Sequence, residues 1–198
     1  LHEWFGLMGE GRWTPPHLLL AHVTLQARAA GGGQGWCLWI GRRIWPRPHA
    51  LLRPGSLLAP LLGRSLMFDA TSPADRLFAI DAALRTPGLV VIADGSRLDI
   101  ASTRRLQLAA EAGGTFALLA RPPEDFRTLS VAATRWRVTS EVSSTAHPRF
   151  RVELVRCKGL HRNDPHQRTA LLERTHAGTL LAVPADVRLR HHAAAAAS

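Results

Sequence analysis

The chain of 198 residues has no tyrosine, two cysteines and two methionines, and Lys158 is its only lysine. Each scarcity narrows the field. Cys37 and Cys157 both lie in strand-like runs and read as reduced, buried thiols rather than a disulfide framework. No apolar run approaches the roughly 20 residues that cross a bilayer, and no signal peptide is visible. A cytoplasmic protein that avoids membranes is therefore expected. His17, His22, His49, His147, His161, His166 and His176 show no metal-ligand spacing, so no metal or cofactor is expected. No Ser-His-Asp or Cys-His arrangement can be read from the order of residues. The chain begins at Leu1 rather than Met, and a preceding piece is expected.

What the chain does have is arginine. The formal net charge is +10 and the pI about 11.5. Such a balance favours nucleic acid or an acidic protein partner. Arginines dispersed over a basic soluble protein, or the bias of a GC-rich genome, account for the same totals. A hydrophobic content of 46% suits one α/β domain with an ordinary core.

The chain is organised around Leu89 to Arg121. Leu89-Val90-Val91-Ile92-Ala93, closed by Asp94, reads as a strand buried on both faces. Asp94-Gly95-Ser96 is a turn. Asp99 is placed to cap a helix carrying Ile100, Thr103, Leu106 and Ala110, and Gly113-Gly114 ends it. Thr115 to Leu119 is a second buried strand. Strand, helix and strand with short connections predict a right-handed crossover and a parallel sheet, with ligands at its carboxyl edge. Asp94 and Asp99 together resemble a carboxylate pair, but turn and capping roles explain both.

On either side of that unit the signals are local. Leu1 to Gly6 reads as a strand running into a glycine turn, and Leu7 to Trp13 as a loop. Thr14 is the expected N-cap of a helix over His17 to Ala30, with Pro15 at its first position. Trp36 to Ile40 and Ser65 to Asp69 read as strands. Pro54 and Pro60 keep Ala50 to Leu62 from being one long helix. Ser72-Pro73 starts a helix with Leu77, Ile80 and Leu84 on one face. Pro122 to Ser130 is a polar loop. Val131 to Thr139 and Arg149 to Arg156 alternate apolar and polar residues and read as an antiparallel pair. Past Leu160 the pattern weakens; Thr179 to Val183 is one more expected strand, and His191 to Ser198 is low complexity with disorder expected.

Two stretches carry possible chemistry. Gly6-Leu7-Met8-Gly9-Glu10-Gly11-Arg12-Trp13 has the spacing of a phosphate-binding loop between strand and helix. Arg12 stands where lysine is needed, and Trp13 where a metal-binding hydroxyl is needed. Trp13 offers no oxygen and much bulk, and Glu10 brings negative charge. A plain strand-to-helix turn accounts for these residues as well as a decayed site does. The second feature is arginine interleaved with tryptophan. Arg42, Arg43, Trp45 and Arg47 fill a loop at the carboxyl edge, Arg104 and Arg105 lie on a helical face, and Arg135-Trp136-Arg137 lie on a strand. Guanidinium neutralises phosphate and indole stacks on bases. In a strand Arg135 and Arg137 point one way and Trp136 the other, so Trp136 is assigned to the core. A solvated face accounts equally for Arg104 and Arg105.

Taken together, LHEWFG, ADGSRLDIASTRRLQLAAEAGGTFALLARP, AATRWRV and RFRVELVRCKG resemble the ImuA family, RecA-like accessory proteins of the bacterial damage-inducible mutasome. The resemblance spans roughly Leu1 to Gly159. It implies an α/β fold, with a RecA-like core, a mostly parallel central sheet flanked by helices, and an antiparallel strand pair near the end of the core. The expected division is residues 1–159 as core and 160–198 as a C-terminal extension. Against the RecA catalytic positions, Arg12 and Trp13 replace the loop lysine and hydroxyl. Gly41-Arg42-Arg43 holds no carboxylate after the second strand. Asp94 stands for the Walker-B acid, displaced by one residue, and Arg121 replaces the polar sensor. The resemblance thus implies a degenerate nucleotide site at Gly6, Gly11, Arg12, Trp13 and Asp94, and no ATPase activity. The expected function is that of a non-catalytic adaptor in SOS-induced, error-prone translesion DNA synthesis. The implied partners are a Y-family polymerase-like protein, an error-prone replicative-type polymerase, RecA and DNA. DNA binding would place the protein at the nucleoid. Candidate DNA- or partner-binding residues are Arg42, Arg43, Arg104, Arg105, Arg121, Arg135 and Arg137. Two alternatives compete: a SulA-like cell-division inhibitor and a divergent phosphate-loop ATPase.

Overall fold

In a computed structural model of the chain, the described residues are 1–9, 12–46, 59–70, 72–143, 147–159, 168–175 and 180–183. The centre is the unit anticipated from sequence. Strand β6 (Leu89–Asp94) leads into a helix over Ile100–Gly113 and then into β7 (Phe116–Arg121). The helix starts where it does because Asp99 Oδ1 accepts from the Ser102 amide at 2.8 Å. It stops at Gly114, whose φ of 61° lies in the left-handed region that glycine tolerates. The preceding helix (Pro73–Leu84) is capped by Ser72, which accepts from the Asp75 amide at 3.0 Å.

Around that unit one nine-stranded sheet assembles in the order β11-β10-β9-β8-β1-β7-β6-β4-β5. Its remaining strands are β1 (His2–Phe5), β4 (Trp36–Ile40), β5 (Ser65–Phe68), β8 (Thr134–Glu141), β9 (Arg149–Cys157), β10 (Thr169–Arg174) and β11 (Leu180–Ala182). The run from β8 through β1, β7, β6, β4 and β5 is parallel. From β8 to β11 the pairing is antiparallel. This is the α/β architecture expected from sequence, a mostly parallel sheet with an antiparallel end. The strand expected at Thr179 to Val183 is present as β11. Strand β10 carries no clear sequence signal, yet it continues the sheet beyond residue 159.

The helices divide between the faces. Among the described residues they are, in chain order, α1 (His17–Ala30), the short α2 (Ala59–Leu62), α3 (Pro73–Leu84) and α4 (Ile100–Gly113). Leu19, Leu20 and Ala21 of α1 pack on Trp4, Trp39, Ile92 and Leu118. Ile80 and Leu84 of α3 and Leu106 and Ala110 of α4 pack on Val91, Ala93, Ala117 and Leu119 across the sheet. The alternation Val90/Val91/Ile92/Ala93 feeds both layers in turn, which is why that run is apolar without interruption. Trp136 joins the α1 face and stacks on Trp4 at 5.3 Å between ring centroids. The Leu180 amide donates to His22 Nε2 at 3.0 Å and ties β11 to α1. Cys37 is a buried free thiol, pushed up to about 11 by its burial; Cys157 is free and only half-buried. Among the described residues no helix is long and apolar enough to cross a membrane.

One local expectation is overturned. Leu7 to Trp13 is not a loop, and Thr14 is not the cap of α1. Strand β2 (Leu7–Gly9) pairs antiparallel with β3 (Arg12–Thr14), matching Leu7 with Thr14, Met8 with Trp13 and Gly9 with Arg12. Thr14 therefore belongs to a hairpin, and Pro16 takes the cap position of α1 with no side-chain cap.

Candidate functional site

The parallel strands deliver Gly6, Gly41, Asp94 and Arg121 to one carboxyl edge, because each lies at or just past the end of its strand. The edge splits into two environments.

Around the second residues of β1 and β8 and the last residue of β7 the charges are sealed inside. Glu3 is fully buried, and its side chain faces the same way as its register partner Arg135. Arg121 Nη1 donates to Glu3 Oε1 at 2.7 Å, Arg135 Nε to Glu3 Oε2 at 2.8 Å, and Ser130 Oγ to Glu3 Oε1 at 2.8 Å. Arg121, itself 0% exposed, also donates to the Leu98 carbonyl at 2.6 Å and reaches Asp125 at 3.2 Å. Arg135 lies over the Phe5 ring, 4.8 Å from its centroid. A buried carboxylate is tolerated only when paired and hydrogen-bonded, and Glu3 is. Arg121 and Arg135, two of the candidate DNA- or partner-binding residues, are thus held in the interior and offer no guanidinium to solvent.

Beyond the ends of β1 and β4 lies an open basic cleft. The β2–β3 hairpin forms one wall and the turn over Arg42–Ile44 the other. The cleft measures about 500 Å³, and its lining includes Arg12, Trp13, His17, Arg42, Arg43 and Trp45. Arg43 sits over the Trp13 ring at 5.0 Å and donates through Nη1 to the Trp13 carbonyl at 3.3 Å. His17 Nε2 lies 2.9 Å from the Arg43 carbonyl and ties the turn to α1. Arg12 and Arg42 are exposed. Among the described residues no carboxylate forms an ion pair with Arg12, Arg42 or Arg43. Structure thus brings together Arg12 and Trp13, read as a phosphate loop, with Arg42 and Arg43, read as a separate basic loop.

The hairpin also decides what Gly6 and Trp13 do. A Cβ on Gly6 would lie 2.5 Å from the Thr14 carbonyl oxygen and 2.7 Å from Trp13 Cε3. Glycine is required there by the close return of β3, and Trp13 is 9% exposed, part of the core on the α1 side. Gly11 and Glu10 lie outside the described residues. Asp94 is buried near Gly41, not on the cleft wall. Its Oδ1 accepts from the Ser96 amide at 2.9 Å and from the Ser96 hydroxyl, and Arg76 stands 3.6 Å away.

The remaining arginines scatter. Arg104 is exposed on α4. Arg105 and Arg85 both grip Asp81, with Nε to carboxylate distances of 3.1 Å each. Burial alone would raise the Asp81 carboxyl, but the hydrogen bonds from Arg105 and Arg85 outweigh it and hold the group below its ordinary value. Arg137 pairs with Glu153 across β8 and β9, Nε to Oε2 3.0 Å, and also lies over Phe126. Sequence reasoning missed Glu3 and Asp81 as the carboxylates that gather arginines. A glutamate inside the apolar strand LHEWF was the available signal, since such a residue must find a cationic partner.

No protein-family model matches the chain. Two curated proteins are similar to it, each called Protein ImuA, from two strains of Caulobacter vibrioides. Each is 32% identical over 143 residues, covering 63% of this chain and 57% of the relative. The chain thus spans little more than half the length of the curated relatives it matches. Over that shared stretch the chain is similar to these ImuA proteins.

Proposed function

We propose that the chain is a non-catalytic, RecA-like adaptor of SOS-induced, error-prone translesion DNA synthesis. It links a Y-family polymerase-like protein, an error-prone replicative-type polymerase, RecA and DNA. The family resemblance supports the pathway, and the hairpin supports the absence of catalysis. A phosphate cradle needs successive backbone N–H groups converging on one anion. Here the residues of the would-be cradle pair with one another as β2 and β3. The Trp13 side chain lies in the core beneath Arg43, where a metal-binding hydroxyl would be needed. Phosphoryl transfer also needs a positioned water and neutralised phosphate charge. Asp94, the acid that stands at the Walker-B position in this reading, is engaged by Ser96 and Arg76.

In this reading residues 1–159 are the adaptor core and residues 160–198 the partner-recognition extension. Because β10 and β11 belong to the sheet, cutting at residue 160 would strip paired strands from the core. The test is a pull-down of the tagged full chain, and of a chain ending at Val183, against the polymerase-like partner and RecA. The full chain is expected to retain at least the polymerase-like protein. Loss of both partners from the full chain would overturn the adaptor reading.

A further inference from the structure

The cleft between the hairpin and the Arg42–Ile44 turn is backed by Trp13 and Trp45, while its Arg12, Arg42 and Arg43 side chains are exposed. Three guanidiniums meet there without a carboxylate among the described residues. Elsewhere in the same molecule arginines find acids: Arg121 and Arg135 find Glu3, Arg85 and Arg105 find Asp81, Arg149 finds Glu173. The α1 helix begins at the cleft with no acidic residue in its first turn and no side-chain cap, which adds partial positive charge. The Trp45 indole N–H, on the cleft wall, is buried without a hydrogen-bond acceptor among the described residues. Arg43 is held over Trp13 by both ring and carbonyl, so a planar cation is fixed in place before any ligand arrives.

We propose that this cleft binds single-stranded nucleic acid, with Arg12 and Arg42 neutralising phosphates and the Arg43–Trp13 pair supporting an unpaired base. The inference rests on the reading of the core as one that does not use nucleotide, and it supplies the DNA contact of that reading. Guanidinium planes and indoles stack on any base, so the site tracks backbone and is sequence-tolerant. The exposed Arg43 plane, backed by Trp13, distinguishes it from a purely electrostatic patch, because only an unpaired base can lie flat on that plane.

The test is fluorescence anisotropy of a labelled oligothymidine with the full chain across a salt series. Neutralising about two phosphates predicts a log–log salt slope near −1.4, at roughly −0.7 for each phosphate on a single strand. Arg12→Ala with Arg42→Ala should weaken binding by about tenfold or more and flatten the slope by about 1.4. Arg42→Lys should restore much of the loss, and Arg85→Ala, at the C-terminal end of α3, should change nothing. Absence of binding at low salt overturns the proposal, as does equal affinity of the double variant. Displacement by ATP or by polyglutamate as readily as by unlabelled oligothymidine also overturns it, assigning the cleft to a mononucleotide or to any polyanion. Retention of the polymerase-like partner by a chain that binds no oligothymidine would sink this inference while leaving the adaptor reading standing.

Discussion

The two ends of the carboxyl edge use the same side chain in opposite ways. Beneath β1, β7 and β8, Arg121 and Arg135 converge on Glu3 and are closed off from water. A short distance along the edge, Arg12, Arg42 and Arg43 line an open cleft. What separates them is one carboxylate. Where an acid sits in the sheet, arginine becomes part of the core; where none does, it remains available. The count of 25 basic residues thus overstates the available cationic surface, since many of the arginines are already paired.

The sharpest way to break this comparison is Glu3→Ala. It leaves buried guanidiniums uncompensated and should cost about 3–5 kcal/mol, read as a drop in the urea midpoint by tryptophan fluorescence. A loss below about 1 kcal/mol would mean that Arg121 and Arg135 reach water without Glu3, and the contrast between the two ends would collapse.

Asp81 lies between the extremes, because its acid is nearly buried while Arg85 and Arg105 are about half exposed. Asp81→Asn should cost about 1 kcal/mol at neutral pH. Its folded carboxyl lies below the ordinary value, so the unfolded chain takes up the proton first as pH falls. The contribution is complete above the unfolded value and disappears as pH drops through the folded one. The gap between variant and parent should accordingly close in acid; a gap that persists there would show that Asp81 acts by packing alone.

The smallest effect belongs to the open cleft. Arg42→Ala should shift stability by no more than about 0.5 kcal/mol, measured by the same unfolding curve, because nothing in the core depends on it. A larger loss would make the cleft structural after all.

Much of the fold was legible because its signals are local. Asp99, Ser72 and Gly114 mark helix ends within a few residues, and Leu89 to Ala93 is apolar without a break. The β8–β9 pair was legible from alternation, and so was the inward turn of Trp136. What failed was non-local. Arg121 and Arg135 read as surface cations because Glu3 lies 118 and 132 residues away in sequence. The glycine spacing from Gly6 suits a loop or a hairpin equally, and the choice is made by Trp13 packing into the core, which no spacing encodes. The cleft was half legible: Arg42 and Arg43 stood out, but their meeting with Arg12 depends on the hairpin folding back beside β4.

The adaptor reading turns on this α/β core working without nucleotide. Calorimetric titration of the full chain with Mg-ATP tests it most directly. The account predicts no saturable heat at millimolar nucleotide, because the hairpin leaves no cradle for a triphosphate. Saturable binding at micromolar nucleotide, lost on Arg12→Ala, would contradict it and make Gly6 to Trp13 a working, if divergent, nucleotide site.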